Sequence, residues 1–337
     1  MSVAAEESQQ KWQSGHFVCE SGHMHVAIYL ASDFYSAIAS TAVETFQTVN
    51  ELRGEPAITW EFIAREKQAI SKSGISFISR RKPLKKMDVL ILLAGARPEV
   101  EQTVDLLRQE SRRAKPIIEL ALSQRATLAA TCGAAFMLAD RGLLDRKRAT
   151  VAWWLKDAVA KLYPQVRWQS SRMIIRDGQI YTTGAGFAGM ELIRQLLRDK
   201  GFVAEERKTS KMLVLPPVRV WQSPYEILSE DAPANPFEKT IEDIAGKHIK
   251  KLSVPFLAAS LGLSPRTMAR TFRTELQTSP GRWIQEMRLR RARHLLETTN
   301  LNISEVCYAV GYEDVASFGR LFARAIGLSP KEFRRHF

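Results

Sequence analysis

The side chain best placed for covalent chemistry in this sequence is Cys132, in the stretch ATLAATCGAAFMLADRGLL over residues 126–144. An apolar run leads to it, and a helical pattern begins directly behind it. Such a pattern puts a thiol on the turn between a buried strand and a helix. A turn that tight needs small neighbours, and Ala130, Gly133 and Ala134 supply them. A cysteine nucleophile also needs a base within hydrogen-bond reach and a third group to orient that base. The six histidines are His16, His23, His25, His248, His294 and His336. None is positioned by sequence to serve Cys132, although folding could bring His23 or His25 near it. The three cysteines, Cys19, Cys132 and Cys307, are odd in number and widely spaced. They form no disulfide framework and no metal-ligand pattern, and no cofactor is read from the chain.

A second constellation is basic. The net charge is +13, and residues 251–337 hold 14 Lys/Arg against 7 Asp/Glu. An excess of this kind suits a polyanionic partner. Within that part the sequence repeats itself. LAASLGLSPRTMARTFRTELQTSP (257–280) aligns with VCYAVGYEDVASFGRLFARAIGLSP (306–330). Each copy reads as a short apolar helix, a glycine that ends it, and a second helix with arginine outside. Gly262 and Gly311 supply the left-handed backbone of that ending. Ser264 caps the next helix and Pro265 fits its first position. Met268 and Phe272 face inward, as do Phe318 and Phe322. Arg266, Ala269, Arg270 and Arg273 then face outward. This is a helix-turn-helix written twice, and the first turn of such a recognition helix enters the major groove. Residues 280–297 join the copies as one helix, whose RLRRAR run is expected close to phosphates.

The elements that must position Cys132 alternate between strand and helix. Strands are expected at 25–30, 57–64, 87–95 and 126–132, and helices at about 37–52, 98–113 and 133–141. Strands apolar on both faces argue for a parallel sheet covered on both sides. RMIIRDGQIYTTG (172–184) carries a hairpin signal and predicts an antiparallel addition, followed by a helix from 189. The proline-rich stretch after 204 breaks the rhythm and reads as a linker or arm. The expected organisation is a polar tail over 1–24, an α/β domain over 25–217, a linker over 218–237 and an all-α domain over 238–337. The helix-turn-helix units fall at about 253–276 and 302–325. The chain has 45% apolar residues, enough for two cores, and no apolar run of membrane-spanning length. The polar start lacks a signal peptide's apolar segment, so a cytoplasmic location is expected.

The residues from Ser253 to Phe337, ending SFGRLFARAIGLSPKEFRRHF, resemble the DNA-binding domain of AraC/XylS transcriptional regulators. That resemblance implies two helix-turn-helix units reading successive major-groove segments. Carried over by position, the DNA contacts are Arg266, Thr267, Ala269, Arg270 and Arg273 in the first unit, and Ala316, Ser317 and Arg320 in the second. CGAAFMLADRGLLDRKRATVAWW, DGQIYTTGAGFAGMELIRQLL and KMLVLPP resemble the class I amidotransferase-like, PfpI-type domain of the GlxA-like AraC subgroup. The implied fold is a flavodoxin-like α/β sandwich with Cys132 on its elbow. Catalytic members of that superfamily carry a histidine in a T-x-H pattern after the GLL segment, and Ala152 stands there. The acidic residue often found near the start of the first helix is Ile38 here.

The reading is therefore a kept elbow without its catalytic partners. Backbone N–H groups at such a turn still offer an anion site, and ligands of open α/β sheets bind at strand C-termini. The residues expected at that mouth are Asp33, Phe34, Tyr35, Gly95, Ala96, Arg97, Cys132, Gly133, Trp153, Trp154, Thr183 and Gly184. The aromatic ones suggest a cage for a cationic amine. The expected protein is a transcriptional regulator, an activator by resemblance, with a small-molecule effector such as an amino acid or amine. Its further partners are promoter DNA, RNA polymerase and a second copy of itself, with no membrane. Two alternatives stand beside it: a front domain that only dimerises or contacts proteins, and a cysteine hydrolase fused to a DNA-binding domain.

Overall fold

The structure is a computed structural model that describes residues 23–226, 236–276 and 278–336. Nearly all of the expected tail and residues 227–235 of the expected linker lie outside the described residues. The chain divides into two compact units, one ending at Ser223 and the other starting at Pro224.

Among the described residues of the front unit, ten strands and six α-helices follow in chain order. They are β1 (Met24–Leu30), α1 (Ser36–Arg53), β2 (Ile58–Ile63), β3 (Gln68–Ile70), β4 (Ser76–Ile78), β5 (Val89–Leu93), α2 (Val100–Ser123), β6 (Thr127–Ala130) and α3 (Ala134–Ala139). Then come β7 (Arg148–Ala149), α4 (Lys156–Leu162), β8 (Arg167–Trp168), β9 (Ile174–Asp177), β10 (Ile180–Thr183), α5 (Ala188–Asp199) and α6 (Val203–Met212). The main sheet has the order β2-β1-β5-β6-β10-β9. All neighbours pair in parallel except β9, which runs antiparallel to β10 at the edge. The RDG turn thus adds one antiparallel strand, as its hairpin signal predicts.

The side-chain alternation of a strand explains why β1 and β5 are apolar throughout. Ala27 and Tyr29 of β1, with Leu90 and Leu92 of β5, join Leu107, Ile118 and Phe136 in the core on the α2 side. Val26 and Ile28, with Val89 and Ile91, join Ile38, Phe46, Leu192 and Leu196 in the core on the α1 side. Each fully buried aliphatic side chain contributes about 1.5–3 kcal/mol, so two complete cores hold the sandwich. Helix α2 runs ten residues beyond its expected end at 113, passing through Pro116. Helix α6 starts at Val203 and covers the first part of the stretch expected to break the sequence rhythm.

The second unit contains α7 (Pro236–His248), α8 (Val254–Ser260), α9 (Pro265–Leu276), α10 (Pro280–Thr298), α11 (Ile303–Ala309), α12 (Val315–Ile326) and α13 (Pro330–His336). The two helix-turn-helix units are α8–α9 and α11–α12. Gly262 and Gly311 adopt φ of 64° and 89°, the left-handed region that ends the first helix of each. Polar caps start the helices: Ser253, Ser279, Asn302 and Asp314 each accept a backbone N–H from three residues on. Helix α10 serves both units. Its Trp283 and Ile284 pack with Met268 and Phe272, and its Leu289, Ala292 and Leu296 pack with Phe318 and Phe322.

Candidate functional site

The mouth forms where β1, β5, β6 and β10 end side by side. After β6 the backbone turns at Cys132 with φ 53°, a left-handed conformation that is strained for a cysteine. Its N–H donates to Thr183 Oγ1 at 3.3 Å, which ties the elbow to the end of β10. The side chain is 2% exposed. Burial pushes its thiol pKa up, and the backbone N–H groups of Gly186 and Gly133 that point at sulfur offset this only in part. A raised pKa keeps the group a neutral thiol, which is a poor nucleophile. The sulfur also takes up N–H groups that would otherwise hold a ligand anion.

The β1 and β5 ends are held equally tightly. A Cβ on Gly95 would sit 1.7 Å from the Asp33 carbonyl oxygen, so only glycine fits where these two loops cross. Asp33 accepts from Arg97 Nε at 3.1 Å. Lys72 Nζ donates to the Ala96 carbonyl at 2.6 Å and stands 5.8 Å over the Tyr35 ring. Burial, and after it the nearby Cys132, raise the Tyr35 hydroxyl pKa. The mouth therefore gathers Asp33, Tyr35, Gly95, Ala96, Arg97, Cys132, Gly133, Thr183 and Gly184.

Three expected residues stand differently. Phe34 is turned into the core on the α1 side, where it meets Phe77 edge to face at 5.4 Å. Trp153 and Trp154 lie on a short 3-10 turn and pack edge to face on each other at 5.3 Å. Trp154 also packs on the α2-side core. Phe34 is therefore withdrawn from the expected aromatic cage, and Lys72 stands over Tyr35.

Ala152, at the place of the catalytic histidine, is fully buried. His25 lies near the start of β1, at the opposite end of the sheet from the mouth. Its Nδ1 pairs with Thr59 Oγ1 at 2.8 Å and its Nε2 with Glu61 Oε1 at 2.9 Å. Five residues of strand separate it from Leu30, a rise of roughly 17 Å.

Gln222 was not among the expected residues. Its side chain is 1% exposed, and its Nε2 donates to Ser170 O at 2.5 Å and Val151 O at 2.8 Å. Its Oε1 accepts from Ala185 N at 3.0 Å. One amide thus joins the loop before Ala152 to the loop that covers the Cys132 sulfur. Nearby, Arg219 grips the buried Glu191 through Nε at 2.7 Å and Nη2 at 2.9 Å. Residues 218–223, assigned to the linker by composition, are thereby fastened to the front unit. Their signal is not local: a glutamine in a proline-rich stretch says nothing about partners 52 and 71 residues away.

On the second unit, Arg266, Ala269, Arg270 and Arg273 are exposed along one face of α9, opposite the buried Met268 and Phe272. Thr267 is half-buried, its hydroxyl 2.9 Å from that of Ser264. On α12, Ala316, Ser317 and Arg320 are exposed, with Arg320 donating to Ser317 Oγ at 2.8 Å. Asp314 caps this helix. Hydrogen bonds from the Ser317 side chain and backbone lower its carboxyl pKa. The RLRRAR run departs from expectation. Arg290 and Arg291 are exposed, but Arg293 is buried and Arg288 turns inward to donate to Leu252 O at 2.9 Å. Two of the four charges are structural because α10 is the shared core helix.

Two exposed helices with arginine-bearing faces, each braced by a shorter helix and joined by one shared helix, define a double helix-turn-helix DNA-binding protein. The family model of a helix-turn-helix domain matches residues 257–336. The chain is similar to the HTH-type transcriptional regulator CdhR of Pseudomonas aeruginosa, 26% identical over 87% of this chain and 86% of that one. It is also similar to the HTH-type transcriptional regulator GlxA of Rhizobium meliloti, 29% identical over 60% of this chain and 63% of that one. Among solved structures, an AraC family transcriptional regulator from Pseudomonas putida covers 56% of this chain and 99% of its own. It does so at 18% identity with a TM-score of 0.46. Residues 257–336 thus carry a helix-turn-helix domain, and over most of its length the chain is similar to HTH-type transcriptional regulators. Among the described residues no helix is long and apolar enough to cross a membrane.

Proposed function

We propose that this chain is a cytoplasmic, ligand-responsive regulator whose front unit senses a small metabolite without catalysing a reaction. The observation that supports the non-catalytic reading is the buried thiol at an elbow whose histidine position is Ala152. The charges at the mouth suit an amino acid better than a simple amine. Arg97 and Lys72 offer cations to a carboxylate, and Asp33 offers an anion to an ammonium group. Gln222 carries a change at the mouth toward the linker, because it bonds to the loop that holds the Cys132 sulfur. Exposed Ile70, Ile75, Ile78 and Leu84 on and beside the β3–β4 hairpin suit a homodimer contact.

In the second unit, Arg266, Thr267, Ala269, Arg270 and Arg273 of α9, with Ala316, Ser317 and Arg320 of α12, face successive major-groove segments of promoter DNA. Arginine reads guanine edges bidentately, whereas Ala269 and Ala316 are limited to apolar contact. Bound there, the protein activates transcription through RNA polymerase. The test is fluorescence anisotropy of the full chain on the DNA upstream of its own gene, with random DNA as competitor and a panel of amino acids added. Specific binding that an amino acid shifts supports the reading. Equal binding to both DNAs with no ligand effect contradicts it.

A further inference from the structure

The α2 side of the front unit carries a second concavity, with neither Cys132, Arg97 nor Thr183 in its lining. Two adjoining cavities of about 340 and 400 Å³ share Tyr29, Ala64, Arg65, Glu66 and Arg113. Pockets of this size take small organic molecules. At one wall stands an ion pair between a buried carboxylate and an exposed guanidinium. Glu110, 2% exposed, accepts from Arg113 Nη1 at 2.6 Å and Ser32 Oγ at 2.8 Å. Its second oxygen accepts from the Tyr29 hydroxyl at 3.2 Å. Burial, with the Glu110 carboxylate beside it, raises the Tyr29 pKa and keeps that hydroxyl a donor.

The carboxylate of Glu110 is thus saturated, while the guanidinium is not. Arg113 spends Nη1 on Glu110 and Ser32, and its Nε and Nη2 have no protein partner among the described residues. A guanidinium fixed at one nitrogen by a buried carboxylate is pre-oriented, so its remaining N–H groups are a prepared site for a second carboxylate. On the facing side Arg65 and Arg81 share the exposed Glu66, at 3.4 and 3.9 Å. Around the cleft three arginines face two carboxylates, one of them already used up. Between these walls the lining is apolar: Ile63, Ala64, Pro116 and Ile117.

We propose that this cleft binds a small organic carboxylate with an apolar tail, its carboxylate held by Arg113 and Arg65 and its tail laid on Ile63, Ala64 and Ile117. The cleft adjoins the mouth at the end of β1, where Ser32 and Phe34 flank Asp33, but it holds its own arginines.

The test is calorimetric titration of the full chain with acetate, butyrate, hexanoate and octanoate, and with hexylamine as the charge-reversed control. Affinity is expected to rise about fourfold per methylene laid on the apolar lining, with hexylamine not binding. Arg113→Gln alone strands Glu110, so it is paired with Glu110→Gln to remove both charges together. The double variant and the exposed-site variant Arg65→Glu should each weaken octanoate at least tenfold while keeping a cooperative thermal transition. Four results would overturn the assignment: no binding of any acid at millimolar concentration, affinity flat with chain length, hexylamine binding as tightly as hexanoate, or octanoate binding unchanged in both variants.

Discussion

Replacing Gln222 by leucine removes an amide that no local structure demands, yet it should disturb the front unit more than any nearby surface change. The leucine fills similar volume but leaves three buried backbone groups unserved: Val151 O, Ser170 O and Ala185 N. The amide has two hydrogens, and the short contacts to Ser170 O and Val151 O use them. The contacts to Thr150 Oγ1 at 3.2 Å and Arg172 O at 3.3 Å are secondary. A buried group left without a partner costs about 1–3 kcal/mol. Partial rescue by water puts the sum near the low end, at about 3 kcal/mol. For a unit of this size that corresponds to a fall in Tm of roughly 6–12 °C. Calorimetry of the full chain reads this directly, and hydrogen exchange of the Ala185 amide should accelerate at the same time. Binding to DNA without effector should be unchanged, while any effector response is lost. A Tm within 1 °C of the parent, with Ala185 still protected, would refute the role given to Gln222.

The second unit offers a comparison of two glycines. Gly262→Ala meets only the strain of a positive φ, about 1–2 kcal/mol, because nothing lies within 4 Å of the added carbon. Gly311→Ala adds contacts at 2.8 Å to Lys250 O and 2.9 Å to Arg288 Nη2, so chemical denaturation should show it roughly 1–3 kcal/mol worse again. In the front unit, Glu206 accepts from Arg194, Arg198 and Ser210. Burial alone would raise its carboxyl pKa, but these three hydrogen bonds outweigh it and lower it. A lowered folded-state pKa gives stability that is present above the unfolded value, near 4.3, and lost as pH falls through the folded value. Denaturation midpoints should therefore drop below about pH 4, and Glu206→Gln should remove that part of the drop while destabilising the unit by about 3 kcal/mol at pH 7. Arg270→Ala should weaken specific DNA binding by about 1–3 kcal/mol and relax preference at one base pair; equal loss on random DNA would mean that Arg270 holds phosphate.

Much of the frame was legible because it rests on patterns the backbone imposes. VLILL must be covered on both faces, and it sits at the centre of the sheet as β5. The RDG turn marks the β9–β10 hairpin, and Gly262 and Gly311 mark the turns of the two helix-turn-helix units. The elbow was legible from small residues flanking Cys132. What stayed hidden depends on distance along the chain. The β3–β4 hairpin alternates too briefly to register, with only Ala69 buried in β3. Phe34 reads as a mouth residue from its neighbours, but one peptide unit along a turn sends its ring into the opposite core. Arg288 and Arg293 look like phosphate contacts until α10 is seen to need a face for each core. Gln222 had no signal at all, since its partners are carbonyls brought together only by the finished fold.

The strand-end mouth is the proposed seat of the effector. Hydrogen exchange of the full chain, with each of the common amino acids and small amines in turn, tests it most directly. At least one amino acid is expected to slow exchange together at Asp33–Tyr35, Ala96–Arg97, Cys132–Gly133 and Ala185–Gly186. A cooperatively folded protein in which no compound protects those segments would contradict it, and would assign the front unit to dimerisation or protein contact alone.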